Sequence, residues 1–172
     1  MNYQPTTKIV AALIRRQNRL LLVKQQGPND AAPSWALPGG AVEPGELLTE
    51  ALAREVREET GLEIVSLGGL VYALQHDNPA RKRQSLVFVF DVVEWQGSLT
   101  VADPDRLILE AKFLPRAKAI ALLEDTLPWR VMREPIVAYL RGTAGRGAVW
   151  LYRSETAGDT QLVARLEPDY PA

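Results

Sequence analysis

Glu55, Glu58 and Glu59 stand at spacings i, i+3 and i+4. On a helix each residue advances about 100°, so the three carboxylates share one face. The same stripe runs through Leu48, Ala51, Leu52 and Leu62, where a purely structural helix would present Leu or Val to a core. Two like charges about 5 Å apart repel by ~3 kcal/mol at an effective dielectric of ~20, and every pair in the trio adds such a term. A fold can relieve this by protonating an acid, by recruiting an arginine or by binding a divalent cation, and only the cation also makes a catalyst. Arg54 is adjacent, whereas Arg57 faces nearly the opposite side, so the cluster stays negative. The chain has no cysteine and one histidine, His76, which excludes thiolate and multi-histidine metal sites. Oxygen ligands alone select a hard cation such as Mg²⁺ or Mn²⁺.

The helix that must carry these acids is well marked. Residues 47–60 contain no Gly or Pro, Pro44-Gly45 precede them, and Gly61 stands where a left-handed cap belongs, followed by apolar Leu62. Apolar runs at 8–15 and 20–25 predict a β-hairpin. A Gly/Pro/Asn/Asp-rich loop at 27–34 then leads through Trp35-Ala36-Leu37 into Pro38-Gly39-Gly40. Strands at 63–74 and 85–93 predict a second hairpin, with a charged tip containing His76-Asp77-Asn78-Pro79 and Arg81-Lys82-Arg83. A strand is expected at 107–114, a short helix at 116–123, and a helix at 128–140 kinked or broken by Pro135. After the glycine-rich joint 142–147, segments 148–153 and 161–166 predict an appended hairpin. The expected division is a domain at 1–141 and an extension at 142–172. A lone hairpin is marginal, so it is expected to pack on the domain, over a cleft or on a second subunit in a homodimer.

Composition sets outer limits. The 172 residues, 24% charged and 47% hydrophobic, suit one soluble globular domain. A formal charge of −1 provides no global field for nucleic acid or anionic lipid. The apolar stretch 9–14 ends at Arg15-Arg16, too short for a signal peptide or a membrane span. The cytoplasm is the expected location.

Gly40, five residues, Glu46, seven residues, and then Arg54-Glu55-Val56-Arg57-Glu58-Glu59-Thr60-Gly61-Leu62 resemble the complete signature of the Nudix hydrolases, with every fixed position filled. The approach Trp35-Ala36-Leu37-Pro38-Gly39 is similar to that of many members, and the likeness spans residues 8–140. It implies an α/β fold, the Nudix α/β/α sandwich with a mixed β-sheet. It also implies hydrolysis of a diphosphate linkage in a nucleoside diphosphate joined to another moiety, with Mg²⁺ or Mn²⁺ as cofactor. By the same likeness Glu55, Glu58, Glu59 and the Gly40 carbonyl bind metal, Arg54 orients a glutamate, and Glu46 either organises the loop near the helix start or contacts metal-bound water. The general base is Glu58, Glu59 or Glu110, the last standing just before Ala111-Lys112-Phe113-Leu114.

Other residues carry two readings each. Arg81 and Arg83 either clamp substrate phosphates or form a solvated tip. Trp35 either lines the nucleotide pocket or anchors its loop. His76 contacts a base or sits in a turn. Trp129 and Trp150 are expected to be packing residues. The substrate class is a nucleoside triphosphate, ADP-ribose or a nucleotide sugar. Two alternatives differ in kind: a regulatory protein that binds nucleotide without hydrolysis, disfavoured by the intact glutamates, and an RNA 5′-end pyrophosphohydrolase, disfavoured by the neutral charge.

Overall fold

A strand whose apolar residues run unbroken must be covered on both faces. Strand β1 (Thr7–Arg16) is of this kind, and Val10 to Ile14 are buried throughout. In the computed structural model, which describes residues 3–156 and 158–168, alternate β1 side chains feed two cores. Val10, Ala12 and Ile14 meet Ala51, Leu52 and Val56 of α1 (Leu48–Thr60). Ala11 and Leu13 face the other way, toward Ala119 and Leu123 of α2 (Arg116–Thr126) and Ile136 and Leu140 of α3 (Arg130–Arg141). The result is a helix, sheet, helix sandwich, as the family likeness implied.

The remaining strands are β2 (Arg19–Gln25), β3 (Ser34–Ala36), β4 (Gly39–Ala41), β5 (Leu62–Asn78), β6 (Arg83–Gly97), β7 (Ile108–Pro115), β8 (Ala148–Thr156) and β9 (Asp159–Leu166). The sheet order is β3-β2-β1-β6-β5-β8-β9, with β4 added on β1 and β7 on β2. Pairs β1–β6 and β5–β8 are parallel and the rest antiparallel, so the sheet is mixed.

Three local expectations need correction. The hairpin of β1 and β2 is paired only at its tip, Arg15 with Leu20 and Arg16 with Arg19. Beyond it the strands part, β1 taking β4 and β6 while β2 takes β3 and β7; two strands that are both apolar on both faces bury more by separating into a split sheet. His76, Asp77 and Asn78 are strand residues, not a tip, because β6 and β8 flank them and take up their backbone groups. The turn shrinks to a short 3-10 segment at Pro79–Arg81. Finally, α3 runs through Pro135. Proline at the sixth residue removes one bond near the helix start, and the residue is buried.

Helix α1 is closed at both ends. The Glu50 carboxylate accepts from the Leu47 amide at 2.8 Å, and Gly61 takes φ 74°, its amide donating to the Arg57 carbonyl. The carbonyls of Glu58 and Thr60 accept from the amides of Ala102 and Thr100 at 2.9 and 2.8 Å, which ties the loop after β6 across the helix end. The terminal hairpin continues the sheet: β8 lies parallel on β5, with Tyr72 opposite Ala148 and His76 opposite Tyr152. Among the described residues no helix is long and apolar enough to cross a membrane.

Candidate active site

The acids of α1 face a glycine pair. Strand β4 lies antiparallel on β1, Val10 opposite Gly40, so the Gly39-Gly40 backbone passes directly over the helix. At Gly39, φ is 154° and a Cβ would sit 2.1 Å from the Val10 carbonyl oxygen, which leaves room for glycine alone. Its amide donates to Glu59 Oε2 at 2.8 Å. At Gly40 a Cβ would lie 2.5 Å from Glu55 Oε1. The second glycine therefore lets a carboxylate close on the main chain.

Arg54 answers much of the repulsion. Its Nε and Nη2 donate to the two oxygens of Glu46 at 2.7 and 2.9 Å, a bidentate fork. Nη1 donates to Glu55 Oε1 at 2.8 Å and reaches Glu58 Oε2 at 3.5 Å. Nη2 also meets the Ala41 carbonyl at 3.0 Å. Glu46 in turn accepts from the Glu43 amide at 2.9 Å, and the Arg54 and Glu43 bonds together hold its carboxyl down near a pKa of about 2. Glu46 thus fixes the arginine and folds the loop ahead of the helix.

The rest of the cluster is under strain of charge. Burial pushes the Glu55 carboxyl up despite Arg54. Glu59 is 7% exposed. Burial raises it to about 8, the Gly39 amide opposes the shift, and Glu55, Asp103 and Glu58 add to it. Asp103 was not singled out from the sequence. Its carboxylate accepts from the amides of Asp105, Leu107 and Ile108, an Asx-type turn that brings a further negative charge toward Glu59; the only signal for it was the Asp-Pro-Asp turn.

Among the described residues, no three acids converge on one point as the side chains stand, because Arg54 lies among Glu46, Glu55 and Glu58. The donor set nevertheless fits a hard cation: carboxylates of Glu55, Glu58 and Glu59, the Gly40 main chain packed on Glu55, and acids that burial and crowding leave destabilised as anions.

The other residues singled out from the sequence are scattered. Glu110 lies opposite Lys24 on β7 and pairs with Lys112 at 3.5 Å. By strand alternation it shares the face of Leu114, not that of Phe113 and Ala111, which pack with α1. Trp35 is buried in the core facing α2, its amide donating to Thr126 Oγ1 at 2.8 Å. Arg83 reaches out to Gln4 at 2.8 Å. Arg81 lines a cleft of about 550 Å³ together with His76, Trp129, Arg130 and Ser154. In that cleft His76 Nε2 and Ser154 Oγ stand 2.8 Å apart, and Ser154 bonds on to Thr160 Oγ1 at 2.8 Å; burial lowers the His76 pKa. Trp150 is buried, as expected of a packing residue, but Trp129 is not: it is 50% exposed. Trp129 borders both this cleft and a small apolar hollow beside Ala11, Ala36 and Leu37. Leu37, at the edge of that hollow, is two residues from Gly39 in sequence, while Ala11, Leu123 and Ile136 of the hollow belong to the sheet face opposite the one that packs on α1.

A mixed sheet between helical layers, carrying a glycine loop and an acidic helix on one side, defines a hydrolase of phosphorus anhydrides. The chain belongs to the Nudix hydrolase family: the NUDIX domain model matches residues 5–138. It is 34% identical to the CTP pyrophosphohydrolase of Escherichia coli K12 over 131 residues, 73% of this chain and 95% of that protein. It is 40% identical to the ADP-ribose pyrophosphatase of Methanocaldococcus jannaschii over 106 residues, 60% of this chain and 59% of that one. Among solved structures, the ORF135 protein of E. coli superposes with a TM-score of 0.63 at 27% identity, over 80% of this chain and 92% of that one. A MutT protein from Bacillus halodurans, at 19% identity, shares the fold with a TM-score of 0.65 over 96% and 99% of the two chains.

Proposed function

We propose that the protein is a Mg²⁺- or Mn²⁺-dependent pyrophosphohydrolase that cleaves a nucleoside triphosphate to the monophosphate and pyrophosphate. ADP-ribose and nucleotide sugars are the next substrate classes. The carrying observation is the trio Glu55, Glu58 and Glu59 on one helix face, with Glu55 against Gly40, Glu59 against Gly39 and one arginine, Arg54, bonded to Glu55 and Glu58. The triphosphate is placed first because the chain covers nearly the whole length of the E. coli CTP pyrophosphohydrolase.

Glu55, Glu58, Glu59 and the Gly40 carbonyl would hold the cation. When bound, it neutralises the phosphate oxygens and acidifies the attacking water. The chain's own groups then have separate tasks. Glu46 keeps Arg54 in place by its two-pronged bond, and Arg54 presents Glu55. Gly39 fixes Glu59 by its amide. Glu58 is the least restrained of the three, since its tie to Arg54 is 3.5 Å long and its side chain keeps 28% of its exposure. This freedom suits it to take the proton from water as the oxygen attacks phosphorus and the P–O bond to the leaving group breaks. Glu110, turned to the other face of its strand, is assigned no part in that step.

We place the nucleoside against Trp129, with Arg81 and Arg130 of the same cleft as partners for polar or anionic parts of the substrate. Ser154 and Thr160 make the terminal hairpin a wall of that cleft. The test is a panel of nucleoside triphosphates, ADP-ribose, sugar nucleotides and dinucleoside polyphosphates with and without Mg²⁺ or Mn²⁺, Glu59→Gln run in parallel. Metal-dependent cleavage that the substitution abolishes supports the proposal. Binding without turnover in every case would overturn it in favour of a regulatory nucleotide-binding protein.

A further inference from the structure

A second cavity, of about 390 Å³, lies between the β1–β2 turn and the ends of α2 and α3. Arg15, Arg19 and Arg116 line it together with Leu13, Leu20 and Tyr139, and among the described residues no acidic one does. The three arginines come from β1, β2 and α2, separate elements that the fold brings to one hollow.

Their charges are poorly offset. Arg15 donates to both oxygens of the buried Asp91 at 2.8 and 3.0 Å, but Asp91 is shared with Arg146 at 3.1 Å. Arg19 donates only to the Phe113 carbonyl at 3.4 Å, and Arg116 to the Leu140 carbonyl. Neutral carbonyls leave the guanidinium charge in place. Among the described residues, the three lining arginines are offset by one paired carboxylate, Asp91, which Arg146 shares. Guanidinium forks match phosphate oxygens, and the volume suits a small ligand whose apolar part meets Leu13, Leu20 and Tyr139. A half-open hollow with three arginines, unlike an extended basic stripe, favours a small molecule over a polynucleotide.

The site is distinct from the glutamates. Gly40 lies opposite Val10, and Arg15 is five residues further along β1, roughly 16 Å at the rise of an extended strand. No lining residue is shared with the acidic cluster. We propose that this cavity binds a small phosphate-bearing anion independently of the catalytic centre.

The experiment is amide and arginine side-chain NMR on the full-length protein with EDTA present, so that phosphate cannot be held through a cation at the glutamates. Inorganic phosphate, pyrophosphate and AMP are titrated separately, which distinguishes a bare anion from a phosphate carrying an organic group. The expected result is saturable shifts at Asn18, Arg19, Arg116 and Gly142, retained in Glu59→Gln. In Arg19→Gln/Arg116→Gln the affinity falls about tenfold or more, the loss of one or two charge-assisted hydrogen bonds. If the double variant loses its dispersed spectrum, Arg19→Gln alone carries the comparison, since its one hydrogen bond among the described residues is long. Shifts that fail to saturate at millimolar ligand, or that fall only around Gly39 and Glu59, overturn the proposal. Neither outcome depends on whether the glutamates hydrolyse a nucleotide.

Discussion

The Gly39 amide donates to Glu59 Oε2 across 2.8 Å, joining the loop ahead of α1 to the most buried acid on the helix. It is the one favourable contact that offsets burial and three neighbouring carboxylates.

A pH dependence follows. With its carboxyl raised from 4.5 to about 8, Glu59 keeps its proton in the folded chain over a range where the unfolded chain has lost it. Its contribution to stability is fully present below about pH 4.5 and is lost as pH rises through 8. Metal-free protein should show this decline in urea melts run in EDTA. Glu59→Gln should flatten it, and Mg²⁺ or Mn²⁺ should reverse it by stabilising the anion. An unchanged slope in the variant would remove Glu59 as its source.

Arg54→Gln should cut kcat by about 10- to 100-fold, the usual effect of removing a residue that orients metal ligands. Arg54→Lys should recover little, because a single ammonium cannot reproduce the fork on Glu46. Steady-state kinetics over a range of Mn²⁺ concentrations check this, and full activity in the lysine variant would mean that charge alone suffices.

Gly40→Ala places a methyl group on the Glu55 carboxylate. The chain should still fold, since Gly40 needs no left-handed backbone, but Mn²⁺ affinity should fall by about tenfold or more. Electron paramagnetic resonance of free Mn²⁺ reads this directly, beside a melting curve.

Trp129→Ala should barely move the melting temperature, because half of the side chain is already in water. KM for the nucleotide should rise about tenfold, the scale of one base–aromatic stack, with kcat little changed. Unaltered KM would leave Trp129 as surface only.

The acidic helix was legible because its signals are local: helical spacing of Glu55, Glu58 and Glu59, and a glycine cap at Gly61. What was hidden depends on partners distant in the chain. Arg15 and Arg16 give no sign that β1 and β2 part immediately beyond them, since that choice is made by β4, β6 and β7. His76 looks like a turn residue beside Asp77 and Asn78 until β8 arrives at its side. Trp129 carries no mark that separates a buried indole from one at a cleft, and Asp103 enters the site only because its loop is drawn back across the end of α1.

The parallel seam between β5 and β8 also bears on how this molecule is made. His76 and Ser154 lie 78 positions apart, and Arg15 and Asp91 lie 76 apart, so neither parallel ladder can close until most of the chain has been synthesised. Loop closure on that scale slows folding. Until β8 arrives, β5 remains an open edge of apolar strand that neighbouring nascent chains can pair with. A chain ending at Arg141 keeps Glu55, Glu58 and Glu59 but loses Trp150 and Tyr152 from the core. It should melt roughly 10 °C or more below the full protein, or aggregate during expression, and sedimentation of both forms would show which. Arrival of β8 on β5 is in this view the step that closes the exposed edge.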